Sequence, residues 1–471
     1  MNKLKFAKRA CAVFIVCTAT GIVLHAQTFT VLHDFASTDG TNLYAGLVQG
    51  TDGEFYGTTF SGGTNDRGTV FEITSGGALT TLYNFGSGAW PNGLIQAADG
   101  NFYGTTGAGG TSNWGTVFKM ATNGSLTLLY SFCAKNGCAD GSDPQSGLIQ
   151  ATDGNFYGTT FSGGAHGEGT VFKVTSSGAL STLYSFCALA ACTDGSSPIA
   201  DLVQASDGSF YGTTQYGGSY DYGTVFRITP CGKLTTLHSF DLTDGAEPAG
   251  ALMQASDGSL YGTSWYGGAN GWGTIFEITT SNVFTTVYNF CSQSGCADGQ
   301  LPIAGLIQGS DGNFYGSTQV GGLYGYGVLF EFTPAGSPTV LHSFDDTDGA
   351  EPQGALVQGT DGNFYGTTES GGDNDACGVN GCGTVFSLAI GLAPFVETEP
   401  NHGIAGRVIE ILGSNLAGAS IVTFNGTAAV FKVVSNSLIG AVVPAGATSG
   451  TVQVTTPSGV LSSNVPFRVV P

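Results

Sequence analysis

Runs of alternating apolar and polar residues, each four to seven long and cut by Gly pairs or Asp-Gly, fill most of this chain. That period of two, rich in Thr, Val, Phe and Tyr, predicts short strands rather than helices. The runs recur in a fixed frame. A short apolar run ending in Gln comes first, as in Gly46-Leu47-Val48-Gln49, and Asp-Gly-x-(Phe/Leu)-Tyr-Gly-(Thr/Ser)-(Thr/Ser) follows. A Gly-Gly pair (Gly62-Gly63), Gly-Thr-Val-Phe (Gly68 to Phe71) and a strand such as Leu79 to Phe85 complete the unit. The Asp-Gly motif begins at Asp52, Asp99, Asp153, Asp207, Asp257, Asp311 and Asp361, with spacings of 47, 54, 54, 50, 54 and 50 residues.

Each unit holds four strands, termed a to d. Between a and b lies Asp-Gly, whose glycine supplies the positive φ of a tight turn. Strands b and c are apolar on both faces, as sheets packed between two neighbours require. Seven radially repeated four-stranded units predict an all-β fold, a seven-bladed β-propeller. The chain opens with a d-like strand, Thr28 to Phe35, that has no a, b or c before it, and the seventh unit ends at Phe386 with no d after it. The first strand is therefore expected to complete the last blade and remove the open edge. Only the d–a connection varies much in length. It emerges with the b–c loop on one face of the ring, which is where binding is expected.

Past Ala393 the repeat stops. Residues 394–471 read as one small β-sandwich, with Asn425-Gly426 as a hairpin signal. Glu399-Pro400, Gly413-Ser414-Asn415-Leu416, Val422 to Gly426, Val443-Pro444 and Val454 to Gly459 give this segment a sequence that resembles the IPT/TIG family of immunoglobulin-like domains. That resemblance implies a spacer or interaction module without catalysis. The Asp-Gly-x-Phe-Tyr-Gly-Thr-Thr motif, the Gly-Gly pair and Gly-Thr-Val-Phe make residues 28–390 resemble the bacterial GloVer tandem repeat. A looser likeness is to the Asp-Gly propeller repeats of bacterial sensor proteins. The GloVer resemblance implies a surface or exported protein, although no sorting motif or hydrophobic tail follows Phe467.

Residues 1–26 carry a basic start (Lys3, Lys5, Lys8, Arg9), an apolar stretch and small-residue Ala26, the pattern of a secretory signal peptide. The propeller is then expected over 27–391 and the sandwich over 394–471. Val16 before Cys17 argues against lipoprotein processing, and no later run reaches a membrane-spanning length. Cleavage removes four of the 13 basic residues, so the mature charge is 9 − 34 = −25. Nucleic acid and anionic membranes would be repelled. The expected location is extracellular, cell-surface or periplasmic.

Eight of the nine remaining cysteines form C-x4-C pairs: Cys133/Cys138, Cys187/Cys192, Cys291/Cys296 and Cys377/Cys382. Three pairs sit in the longest d–a loops, and the fourth lies in the elongated b–c loop of the last blade. In an exported chain these read as local disulfides that stiffen long loops. Two ligands per pair, with no nearby His, do not make a zinc site. Cys231 is left over in a c–d turn.

No catalytic residue, metal site or cofactor is expected, since the sequence has no nucleophile elbow, zinc-protease helix or phosphate loop. His33, His238 and His342 occupy a strand-d position held elsewhere by Tyr and read as packing residues. The Gln that ends every strand a reads as a repeated turn-fixing hydrogen bond rather than a ligand ring. Asp39, Asp140, Asp194, Asp244, Asp298 and Asp348 start Asp-Gly turns in the d–a loops, and their spacing matches no complete calcium loop. Trp114, Tyr222, Trp272 and Tyr326 precede the Gly that opens strand c and are the candidate ligand-binding residues, either packed on the Gly-Gly slot or exposed for stacking. The expected partner is a carbohydrate or a cell-surface protein. The alternatives are a polysaccharide-active enzyme using loop acids, or a structural surface component.

Overall fold

The computed structural model describes residues 27–470, apart from 87, 88, 334, 335, 337 and 374. The expected signal peptide lies outside the described residues.

Seven four-stranded antiparallel sheets form the blades. In blade 1, strand a is Val48–Gln49, b is Phe55–Thr59, c is Thr69–Ile73 and d is Leu79–Asn84. The same order runs through blades 2 to 6. Blade 7 takes a, b and c from Val357–Gln358, Phe364–Thr367 and Thr384–Ala389, and its outer strand from Thr28–Asp34. The N-terminal strand pairs from Thr28↔Ala389 to Asp34↔Thr384 and reproduces the bulge of the other c–d ladders, between Val31 and His33. Closure from the opposite chain end thus copies local geometry, because strand c presents the same edge in every blade.

The repeated motif is consumed by architecture. Its Asp accepts the backbone N–H two residues on and the Tyr hydroxyl, as in Glu54 N–H to Asp52 Oδ1 (3.1 Å) and Tyr103 O–H to Asp99 Oδ2 (2.9 Å). Its Phe ring packs on the Tyr ring of the preceding blade, from Tyr56–Phe102 (4.2 Å between centroids) round to Tyr365–Phe55 (4.0 Å). Such aromatic pairs add about 0.5–1.5 kcal/mol each beyond burial. Blade 5 has Leu260 in place of Phe, against a partly buried Tyr211. The glycine after Tyr leaves room for strand c. A Cβ at Gly212 would lie 2.8 Å from Phe226 and from Leu202. The first Thr hydroxyl donates to the next blade's strand-a entry, as Thr58 to Asn92 O (2.8 Å). The second pairs with the first Thr of strand c, as Thr59 with Thr69 (2.9 Å).

Each strand-a Gln clamps two blades. Its amide N–H donates to its own a–b turn and its Oε1 accepts from the preceding blade's turn. The circuit closes where Thr360 N–H of blade 7 donates to Gln49 Oε1 of blade 1 (3.0 Å). The turn-fixing role expected for these glutamines is what the structure shows, extended to a continuous belt.

The sandwich has one sheet of Val396–Glu399, Val408–Gly413, Leu438–Val442 and Phe431–Val433, and a second of Thr427–Ala428, Ile421–Phe424, Val452–Thr456 and Gly459–Ser462. Its core holds Ile411, Val422, Ile439, Val454 and Phe467. It meets the propeller at the a–b turns of blades 7 and 1. Phe395 N–H donates to Thr360 O (3.0 Å), Ser437 O–H donates to Thr51 O (3.2 Å), and Thr360 and Ser414 hydroxyls lie 3.1 Å apart. The d–a and b–c loops lie on the opposite face of the ring, so the sandwich leaves them uncovered.

Candidate functional site

The loop face is held rigidly. All four expected cysteine pairs are disulfides, and Cys231 is free and exposed. Cys133–Cys138, Cys187–Cys192 and Cys291–Cys296 close d–a loops whose second cysteine carbonyl accepts the N–H of a Gly in the next Gly-Gly pair. These bonds are Gly164 to Cys138 O (2.8 Å), Gly218 to Cys192 O (2.9 Å) and Gly322 to Cys296 O (3.0 Å). Each of these three bridges therefore stiffens two loops. Four disulfides point to an oxidising compartment.

The Cys377–Cys382 bridge forms in the b–c loop of blade 7 as expected, and it also reaches the core. Cys382 holds the position before the strand-c glycine that Trp114 and Tyr326 hold in their blades, yet it is only 1% exposed. It packs into the core with Phe35, Leu43 and Val385, and the partly buried Cys377 reaches the same cluster. The physical reason is that a bridged cysteine is small and apolar, so it turns inward where a large amphipathic ring stays at the surface. The bridge fastens the b–c loop of blade 7 to the core beneath it, and Cys382 presents no side chain to a ligand.

The Asp-Gly acids of these loops are committed to the scaffold. Asp140, Asp194 and Asp298 are fully buried. Asp194 accepts from Tyr184 O–H (2.7 Å) and from the N–H groups of Ala188 (2.9 Å) and Leu189 (3.1 Å). The strand-d histidines take the tyrosine's place, with His33, His238 and His342 Nε2 lying 2.8–2.9 Å from Asp39, Asp244 and Asp348. His238 also stacks on Phe284 and His342 on Phe29. Among the described residues no three His, Cys, Asp or Glu side chains gather where a metal ion could be held.

Trp114, Trp272 and Tyr326 are 51%, 42% and 39% exposed, whereas Tyr222 is partly buried against Val225 and Phe240. Their carbonyls accept N–H groups from the following d–a loop, as Asp143 N–H to Trp114 O (2.8 Å) and Glu351 N–H to Tyr326 O (3.0 Å). The backbone is pinned while three of the four rings reach solvent. They sit on separate blades, and no ring contact joins them.

A second set was not picked out from the sequence. Asn42, Trp90, Asp143, Ser197, Glu247, Leu301 and Glu351 occupy one equivalent position in the seven d–a loops, all with φ between +51° and +59°. Glycine adopts this backbone without penalty, yet none of the seven is glycine in a chain with 77 of them. Side chains are kept there at a cost in backbone strain. The readable signal was that six of them precede Pro.

Around these residues the face carries a row of rings and acids. Tyr44 meets Phe60 edge-on at 5.1 Å, and Phe60 stacks on Trp90 at 5.6 Å with 11° between planes. Tyr44 O–H donates to Glu369 Oε1 (3.0 Å), and Gln353 donates to the other oxygen of Glu369. Burial, joined by the Glu351 charge, pushes the Glu369 carboxyl above its usual range against the pull of Tyr44. Gln215 and Gln319 donate to Glu247 (3.1 Å) and Glu351 (3.4 Å). Inside this rim the blades enclose an axial cavity of about 280 Å³, lined by strand-a entries of all seven.

The fold is that of a streptogramin B lyase structure (17% identity, TM-score 0.54, covering 77% of this chain and 97% of that one). A virginiamycin B lyase from Staphylococcus aureus is similarly placed (14% identity, TM-score 0.55, 77% and 99%). Identity this low carries the fold alone. No curated protein matches the chain. Among the described residues no helix is long and apolar enough to cross a membrane. The Gloeobacter/Verrucomicrobia repeat matches residues 17–205, 134–308 and 295–408, and the IPT/TIG domain matches 396–469. The chain therefore belongs to the Gloeobacter/Verrucomicrobia repeat family, built as a seven-bladed propeller with a C-terminal IPT/TIG domain.

Proposed function

We propose that this is an exported, non-catalytic protein that binds carbohydrate on its d–a and b–c loop face, at the cell surface or in the surrounding medium. The observation that carries this reading is the row Tyr44, Phe60 and Trp90. Tyr44 and Trp90 are exposed, with the half-buried Phe60 between them. Flat rings beside carboxylate and amide groups suit sugar rings, whose C–H faces stack while their hydroxyls take hydrogen bonds. Glu369 and Gln353 supply those polar partners. Trp114, Trp272 and Tyr326 extend the face to other blades. A glycan array with the mature chain, the Trp90→Ala variant and a variant with Trp114, Tyr222, Trp272 and Tyr326 changed to Ala tests it. Binding lost in Trp90→Ala places the site on the row, and loss only in the fourfold variant moves it to those blades. Absence of any glycan signal refutes the carbohydrate reading and leaves a protein partner, to be sought by pull-down.

A polysaccharide-active enzyme is the second reading, favoured by one feature. Glu369 is pushed toward its protonated form beside the Glu351 charge, and two such carboxyl groups could divide acid and base roles. New reducing ends or unsaturated products from a polysaccharide panel, abolished by Glu369→Gln, would establish it.

A further inference from the structure

The axial cavity breaks the ring's sevenfold pattern at one residue. At the third position before the strand-a Gln, six blades have Gly46, Gly93, Gly147, Ala251, Gly305 and Ala355, while blade 4 has Asp201. All seven line the cavity. The fold is satisfied there by a hydrogen or a methyl, so no blade needs a carboxylate, and enclosing one costs free energy. Asp201 Oδ1 accepts only the N–H of Gly147 in the neighbouring blade (2.5 Å). Among the described residues Oδ2 has no hydrogen-bond partner. Asp201 is partly buried, and desolvation raises the acid's pKa against that single donor while Oδ2 faces the cavity.

The rest of the lining decides what would pair with it. Ile199 and Ile303 give apolar wall, and Asn92, Gln145 and Gln353 offer amide oxygens. One carboxylate is too few for calcium or magnesium, which take six or more oxygen ligands, and about 280 Å³ is far more than one ion fills. An elongated organic cation fits better, with a charged head for the acid and a hydrocarbon stem for the wall. The rim acids Glu247, Glu351 and Glu369 and the chain's net charge of −21 would draw such a cation inward.

We propose that the axial cavity is a binding site for a primary alkylammonium group, such as an amine metabolite or a lysine side chain, held by Asp201. This site does not rest on the carbohydrate reading: Tyr44 and Gln353 border both, but Asp201 and the strand-a entries around it lie inside the ring, away from Trp90.

Calorimetric titration of the mature chain with n-butylammonium chloride tests it, with n-butanol as the neutral control. Binding should appear at millimolar amine, be absent for butanol, and weaken at least tenfold in Asp201→Ala. That variant adopts the residue found in blades 5 and 7 and should melt no lower than the parent. The isosteric Asp201→Asn should lose the amine equally, while Trp90→Ala keeps it. No amine binding by the parent, or equal affinity in both Asp201 variants and the parent, overturns the proposal. Glycan binding retained by Asp201→Ala would show that the two sites fail or stand separately.

Discussion

Replacing Gln358 by Ala tests the belt of strand-a glutamines where it is best buried. Gln358 is 8% exposed. Its side chain donates to Gly362 O (3.2 Å) and Ser310 Oγ (3.0 Å) and accepts from Ser310 N–H (2.8 Å). A neutral hydrogen bond contributes about 1 kcal/mol net, so three amount to about 3 kcal/mol. Gly362 is buried, and its carbonyl would be left without this donor, whereas Ser310 is exposed and recovers water. The expected loss is therefore about 3 kcal/mol. Gln150 makes two such bonds near solvent, to Gly154 O (3.3 Å) and from Ala98 N–H (2.9 Å), and Gln150→Ala should cost about 1 kcal/mol or less. At about 2.1 cal/mol/K of unfolding entropy per residue, a propeller of about 360 residues shifts by about 1.3 °C per kcal/mol. Differential scanning calorimetry should then find a fall of about 4 °C for Gln358→Ala and about 1 °C for Gln150→Ala. Equal shifts, or the larger one at Gln150, would refute the claim that burial sets the strength of each clamp.

Other consequences can be measured on the same protein. Burial and the Glu397 and Glu410 charges raise Glu399 to about 7 in the folded sandwich, from about 4.5 unfolded. The folded form holds that proton more tightly, so this stabilisation is complete below pH 4.5 and lost as pH rises through 7. It amounts to at most about 3 kcal/mol. Melting of the IPT/TIG domain should come at higher temperature at pH 5 than at pH 8, and Glu399→Gln should reduce the difference, the remainder coming from Glu397 and Glu410, which burial also raises. Changing Cys133 and Cys138 together to Ser opens a six-residue loop and should cost about 2 kcal/mol by loop entropy, read as a lower midpoint in denaturant. Deleting residues 27–35 strips blade 7 of its outer strand, of the fully buried Phe35 and of the Phe29 ring stacked on His342 at 3.7 Å. The cooperative melting of the propeller should disappear, and an unchanged transition would show that the ring does not depend on this closure.

The sequence by itself determined the blade count, the four strands of each blade, the strand borrowed from the N-terminus, the sandwich and the disulfide pairs. Those features rest on local chemistry: alternation with period two, glycines where turns need positive φ, and cysteines five residues apart. Apart from that closure, the tertiary structure decided what joins residues one blade apart or more. Only the closed ring shows that Gln49 serves blade 7. Cys382 reads in the sequence as a loop cysteine, and it becomes a core residue only because Phe35 and Leu43 arrive beside it from the other end of the chain. Tyr44, Phe60 and Trp90 come from separate loops and become one row only when blades 1 and 2 stand side by side. The left-handed backbone at Trp90 and its equivalents comes from each loop being pinned to its neighbour, as Asp143 N–H to Trp114 O. Asp201 carries no motif in the sequence. Its place in a wall of glycine and alanine follows from seven strand-a entries converging on one axis, which no single repeat contains.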